Sequence, residues 1–215
     1  MSAKDEGHSA FFYGTLMAPQ VLHRVTHGST PNDPKFVPDH IKVVPAILHN
    51  YRRHRVKHAD YPAIVPVPSA SVRGTYVTGL RDADIWRLDI FEGDEYVRKV
   101  VKVRLLTAVG DESGQGNVEG DEVEAETYVW KASRNRLEDG EWDFAEFQRE
   151  KMRFWVGSEG QEEYEGFADE ALAVAEVDEA VAEKQVDGTG GRGSNGHITR
   201  ALKDEPTNEP MRNAV

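Results

Sequence analysis

Apolar residues in the first part of the chain fall into short β-favouring runs. The run Ala10-Phe11-Phe12-Tyr13-Gly14-Thr15-Leu16 is aromatic-rich and ends at a polar turn. Residues 43–48, 52–56 and 63–67 form further short runs, punctuated by Pro45, Asn50, Pro62, Pro66 and Pro68. Residues 72–80, 96–106 and 123–131 form longer ones. Strands this short and frequent predict a barrel or a strongly curved sheet. Residues 111–121 read as a loop, with Gly114, Gly116 and Gly120 set among acids. Residues 17–39 carry no clear periodicity and read as loop.

The period changes between the strands. Asp82 or Asp84 can cap a helix whose inward stripe is Ile85, Leu88 and Phe91 or Glu92, with Gly93 placed to end it. A second helix is predicted over 143–156, with Phe144, Phe147, Met152, Phe154 and Trp155 as its apolar content. A third is predicted over 162–184, where the stripe of Phe167, Leu172, Val174, Val177 and Val181 is thin. From 187 onward the glycine-rich stretch cannot bury much surface and reads as a disordered tail.

Charge divides the chain in the same places. Residues 1–137 carry 18 acidic and 18 basic side chains, residues 138–185 carry 16 and 4, and residues 186–215 carry 4 and 4. The whole net charge of -12 therefore sits in one segment. The expected organisation is a flexible N-terminus (1–9), a folded domain (10–157), an acidic helical extension (158–185) and a disordered tail (186–215). The acidic balance argues against a nucleic-acid partner. The absence of cysteine excludes a disulfide scaffold, a thiol nucleophile and thiolate zinc sites. The polar start of the chain does not look secretory, and no apolar run approaches the ~20 residues that span a bilayer. The expectation is a cytoplasmic protein with no membrane partner.

Two features point to chemistry. Tyr13-Gly14-Thr15-Leu16 ends an apolar strand, and a glycine there lets a ligand approach the backbone. Successive backbone N–H groups in such a turn form an anion-binding concavity suited to a carboxylate. By local pattern alone it is equally an ordinary strand-to-turn transition. Glu92 lies at i+7 from Ile85, so a carboxylate shares the face that Ile85 and Leu88 bury. Burial and the negative end of the helix dipole both raise its proton affinity, which suits a base near neutral pH. A solvated helix-end glutamate is the plainer alternative.

In this order, Tyr13-Gly14-Thr15-Leu16, then Leu88-Asp89-Ile90-Phe91-Glu92-Gly93, then Tyr96-Val97-Arg98, the chain resembles the gamma-glutamylcyclotransferase-like family, which includes the plant avirulence-induced-gene type proteins. Asp60-Tyr61-Pro62-Ala63-Ile64-Val65 looks like that family's middle strand. The resemblance covers residues 10–131. It implies an α+β fold, a small mixed β-barrel with packed helices. It implies cyclisation of a γ-glutamyl group to 5-oxoproline with release of an amine or amino acid, without cofactor or metal. Tyr13, Gly14, Thr15 and Leu16 would hold the γ-glutamyl moiety and Glu92 would be the catalytic acid/base. Alternatives are a γ-glutamylamine or γ-glutamyl-adduct cyclotransferase, or a non-catalytic binding module of the same fold. The partner would be a small γ-glutamyl compound; oligomeric state is not legible.

Supporting residues follow from position. Tyr96 lies just past the Gly93 turn, Tyr128 shares a strand face with Trp130, and Tyr61 precedes Pro62 at the rim. All three are candidate substrate contacts, with core packing as the alternative. Glu95 is expected to be solvated. Arg53, Arg55 and Lys57 read as a solvated strand face, or as a positive patch for an anionic substrate. His49, His54 and His58 do not make a convincing metal set.

Overall fold

A computed structural model describes residues 7–28, 36–111 and 113–156. The expected acidic extension and tail lie outside these residues. Among the described residues, five strands carry the fold: β1 (His8–Phe12), β2 (Lys42–Arg55), β3 (Pro62–Leu80), β4 (Tyr96–Ala108) and β5 (Val118–Trp130). Helix α1 (Pro19–His27) follows β1, and α2 (Asp82–Glu92) links β3 to β4. After β5 comes one helical stretch in three parts: α3 (Phe144–Glu146), a π turn (Phe147–Lys151) and α4 (Met152–Val156). Among the described residues no helix is long and apolar enough to cross a membrane.

The strands are antiparallel neighbours except at one seam. There β1 meets β5 in parallel through Ala10 and Glu126, and the sheet closes in the order β1-β3-β2-β4-β5. The result is the α+β architecture expected, a closed barrel of mixed strand direction with helices outside. The expected strand ends at Pro45, Pro66 and Pro68 are corrected, whereas Pro62 does begin a strand. Residues 43–56 form essentially one strand and 62–80 another, with Pro45 and Pro66 paired inside them. The chain turns at a bulge instead, where the register shifts between His49 and Tyr51. Asn50 and Ser69 both take φ of 63° there, and the Asn50 side-chain oxygen accepts from the Ser69 N–H at 3.3 Å. The expected boundary at residue 10 falls inside β1, which begins at His8.

Period-two alternation sorts side chains into two cores. Phe11, Tyr13, Leu48, Ile64, Val72, Val103 and Val129 fill the barrel. Ala10 and Phe12, on the opposite face of β1, pack outward with Leu16, Val21, Val25, Leu88 and Phe147 under the helices. Helix α1 was not expected, yet its cues are ordinary. Pro19 sits at its first turn, Val21, Leu22 and Val25 are buried, and Gly28 ends it in the left-handed region at φ 72°.

Helix α2 follows the predicted stripe. Ile85 and Leu88 are buried. Asp84, itself buried, accepts the Arg81 backbone N–H at 2.8 Å and so caps the helix from its third position. Gly93, at φ 63°, stops it one residue after Glu92. The stop leaves Glu92 on the inner face at the C-terminal end.

Candidate active site

A cavity opens where the end of β1, the end of α2 and the starts of β3 and β4 converge. Its walls include all eight residues singled out from the sequence: Tyr13, Gly14, Thr15, Leu16, Tyr61, Glu92, Tyr96 and Tyr128. Phe11, Phe12, Pro62, Phe91, Glu95 and Trp155 complete the lining. Trp155 arrives from α4 and meets the edge of Phe91 at 6.0 Å between ring centres.

The turn after β1 is a short 3-10 helix over Thr15–Met17. Met17 N–H bonds to the Gly14 carbonyl and Ala18 N–H to that of Thr15, each at 3.0 Å. The helix supplies no acceptor for the N–H groups of Thr15 and Leu16, which are its first donors. Behind the turn stands Arg53. Its Nη1 donates to the Tyr13 carbonyl at 2.9 Å and its Nη2 to Glu141 at 3.1 Å, and the guanidinium lies 5.5 Å from the centre of the Trp142 ring. The expected solvated strand face is therefore corrected at Arg53, whose side chain is only 12% exposed. Removal from water lowers its pKa. Arg55 does face outward, toward Glu146. His49 pairs with Glu119 and His54 with the Glu138 carbonyl, so these histidines have separate partners.

The tyrosines share one habit. Tyr13 Oη donates to the Tyr128 carbonyl at 2.7 Å, Tyr96 Oη to the Pro62 carbonyl at 3.0 Å, Tyr61 Oη to Glu95 at 3.2 Å, and Tyr128 Oη to Asp89 at 2.9 Å. Each phenolic proton is committed to the protein, so these oxygens have only lone pairs left to offer a ligand. Burial, reinforced by the nearby Glu92 charge, holds Tyr13, Tyr96 and Tyr128 well above the usual phenol range. They are neutral acceptors at any working pH.

Glu92 is half-buried against these walls. Burial first, and the Asp89 carboxylate second, push its pKa up to about 8. A group poised there can hold a proton or release it near neutral pH. Glu95, expected in solvent, instead lines the cavity and is gripped by Arg136 and Tyr61. Its orientation depends on a residue 41 positions later, which local pattern could not reveal. Asp89 shares the motif with Glu92, and its link to Arg98 and Tyr128 arises only when β4 and β5 pair.

The arrangement offers backbone donors at one side, neutral acceptors around the wall and a carboxyl of raised proton affinity at the end of α2. It suits a zwitterionic ligand whose carboxylate meets the turn and whose amine meets Glu92. A family model described as Gamma-glutamyl cyclotransferase, AIG2-like, matches residues 10–144. Protein AIG2 C of Arabidopsis thaliana is 32% identical over 147 residues, 68% of this chain and 76% of that protein. Protein AIG2 B of the same plant is 33% identical over 151 residues, 70% of this chain and 76% of that protein. The solution structure of another Arabidopsis thaliana protein aligns with a TM-score of 0.45 at 29% identity, covering 71% of this chain and 88% of that one.

Proposed function

The chain belongs to the AIG2-like gamma-glutamyl cyclotransferase family, and on that premise we propose that it cyclises a γ-glutamyl compound to 5-oxoproline, with Glu92 as the proton carrier. The α-amine nitrogen of the substrate attacks its own γ-carbonyl carbon. The new C–N bond closes the five-membered ring, the bond to the leaving amine breaks, and the proton lost by the nucleophile ends on the leaving nitrogen. No further reactant is needed.

Each part of the site has a task in this reaction. The α-amine has a pKa near 8 and is mostly protonated at neutral pH. It cannot attack until a proton leaves. Glu92, near 8 itself, can take that proton at little cost and return it to the leaving amine. The N–H groups of Thr15 and Leu16 take the substrate carboxylate or the oxyanion that grows on the γ-carbonyl. The lone pairs of Tyr13 and Tyr128 favour the ammonium. The aromatic walls hold the substrate folded, and positioning counts for much in an intramolecular attack.

The observation that carries the reading is Glu92 in a tyrosine-walled cavity that also holds the Gly14 turn. The test is 5-oxoproline release from a panel that includes glutathione, γ-glutamyl dipeptides and γ-glutamylamines, comparing wild type with Glu92→Gln. Release by wild type alone supports the assignment, and the compound turned over fastest names the leaving group. Equal release by both proteins removes Glu92 from the mechanism. Binding of the panel without release leaves a non-catalytic module.

A further inference from the structure

Helix α2 places Asp89 and Glu92 three residues apart, on neighbouring positions of one face. Glu92 borders the cavity and Asp89 sits behind it, its side chain 14% exposed. Two residues grip the Asp89 carboxylate. Arg98 approaches Oδ1 through Nε at 3.0 Å and Oδ2 through Nη2 at 3.3 Å, and Tyr128 donates its hydroxyl to Oδ1 at 2.9 Å. Arg98 and Tyr128 are direct cross-strand partners on β4 and β5. Directly opposed residues project from the same face of a sheet, so the ladder itself delivers both donors to one point of the helix.

The grip continues outward. Arg98 also binds Glu126, the other Glu126 oxygen meets His8 Nδ1 at 3.0 Å, and His8 Nε2 meets Asp82 at 2.8 Å. A chain of polar contacts thus runs from the first residue of α2, through β1, β5 and β4, back to the last turn of the same helix. The chain passes from the exposed Asp82 to the largely enclosed Asp89, where an ionised carboxylate is costly unless it is paired.

We propose that Asp89, clamped by Arg98 and the Tyr128 hydroxyl, is a positioning residue of this site: it turns the lone pairs of Tyr128 toward the cavity and fixes a carboxylate one helical turn behind Glu92. The proposal rests on the reading of Glu92 as proton carrier. Its chemical content is a division of labour between two acids. Asp89 keeps the Arg98 cation away from Glu92 and makes a second ionised carboxylate nearby unfavourable. Glu92 therefore retains its proton to higher pH, in line with the Asp89 contribution to its raised pKa. The other ionisable groups lining the cavity with Glu92 are Tyr13 beyond β1, Tyr61 ahead of β3, Tyr96 on β4, Tyr128 on β5 and Glu95; burial keeps Tyr13, Tyr96 and Tyr128 neutral. The Arg136 cation behind them is paired with Glu95.

The opposing charges of the clamp give a test with opposite signs. The full-length protein is labelled with glutamate carrying 13C at the side-chain carboxyl and titrated by NMR, with Glu92→Gln identifying the Glu92 signal. In Asp89→Asn the Glu92 midpoint is expected to fall, by on the order of one pH unit, as the like charge behind it disappears. In Arg98→Met it is expected to rise, because Asp89 and Glu126 lose their counter-charge. Arg98→Lys keeps the cation and is expected to return the midpoint toward wild type. A purely structural role would not move the two variants in opposite directions. An unchanged midpoint, or shifts of the same sign, overturns the proposal; should one variant fail to fold, the direction of the other alone decides. No substrate is involved. The expected titrations in a protein that releases no 5-oxoproline would refute the proposed reaction alone, and release without them would refute the Asp89 role alone.

Discussion

Pro62 lies hard against Gly14: a Cβ built on the glycine would stand 2.7 Å from the proline Cγ and 2.9 Å from its Cδ. The φ of Gly14, -128°, lies outside the left-handed region, so a positive φ is not what requires glycine. Close approach of the proline ring does. The two residues also face the same cavity.

Gly14→Ala is accordingly expected to displace the turn or the proline ring. Overpacking of this kind costs about 1–3 kcal/mol. A lower denaturation midpoint and a higher KM for the γ-glutamyl substrate should appear together. Adding Pro62→Ala should recover much of both. A double variant no better than Gly14→Ala would place the defect elsewhere.

Glu92→Gln should reduce 5-oxoproline release by roughly 10²–10⁴-fold, the usual worth of a general acid/base. It should also alter the pH dependence of stability. Glu92 has a higher pKa in the folded protein, about 8, than the ordinary 4.5. The folded state then binds more protons between those values, so its stability is full below about pH 4.5 and declines as pH rises through 8. The glutamine variant lacks this decline. Relative to wild type it should gain stability at pH 9, on the order of a few kcal/mol, and little at pH 4. Denaturant melts at the two pH values measure the difference.

The same group shapes the rate profile. Well below pH 8, Glu92 and the free substrate amine are both protonated, and no base is available. Well above it both are deprotonated, and no acid remains for the leaving amine. A plot of kcat/KM against pH is expected to be a bell centred near 8, its limbs belonging to the pair of groups jointly. A profile that is flat from pH 6 to 9 would be incompatible with Glu92 as proton carrier.

Arg53 is the other residue whose loss should reach the site without touching it. Arg53→Met would leave the Tyr13 carbonyl without its donor. Loss of a charged hydrogen bond costs about 1.5–3 kcal/mol. A lysine can replace one of the two contacts but not the fork to Tyr13 and Glu141. Thermal melts should rank wild type above Arg53→Lys and Arg53→Lys above Arg53→Met, with substrate affinity in the same order.

Local pattern revealed what local forces decide. The 3.6-residue phase through Ile85 and Leu88 placed Glu92 inward, and Gly93 ended the helix where expected. The aromatic strand and its Gly14 turn were equally plain. Pro45 and Pro66 misled, because β2 and β3 carry them within their ladder, whereas Asn50 does mark a bulge and Pro62 does begin a strand. Helix α1 had a proline start, a glycine stop and three buried aliphatics, but its polar content hid the period. Glu95 and Arg53 were misjudged for one reason. Their surroundings are Arg136, Glu141 and Trp142, brought in from beyond β5, and no window of neighbouring residues contains them.

The seam between Ala10 and Glu126 has a consequence for how the polypeptide is made. β1 emerges from the ribosome first, yet one of its edges waits for residues 75–80 and the other for residue 126. Until then Phe11 and Phe12, both buried in the finished protein, lack the strands that cover them. Early long-range closure is entropically slow, and unpaired apolar edges invite aggregation. The nascent chain should therefore be prone to aggregation along β1 until Glu126 and its strand are available.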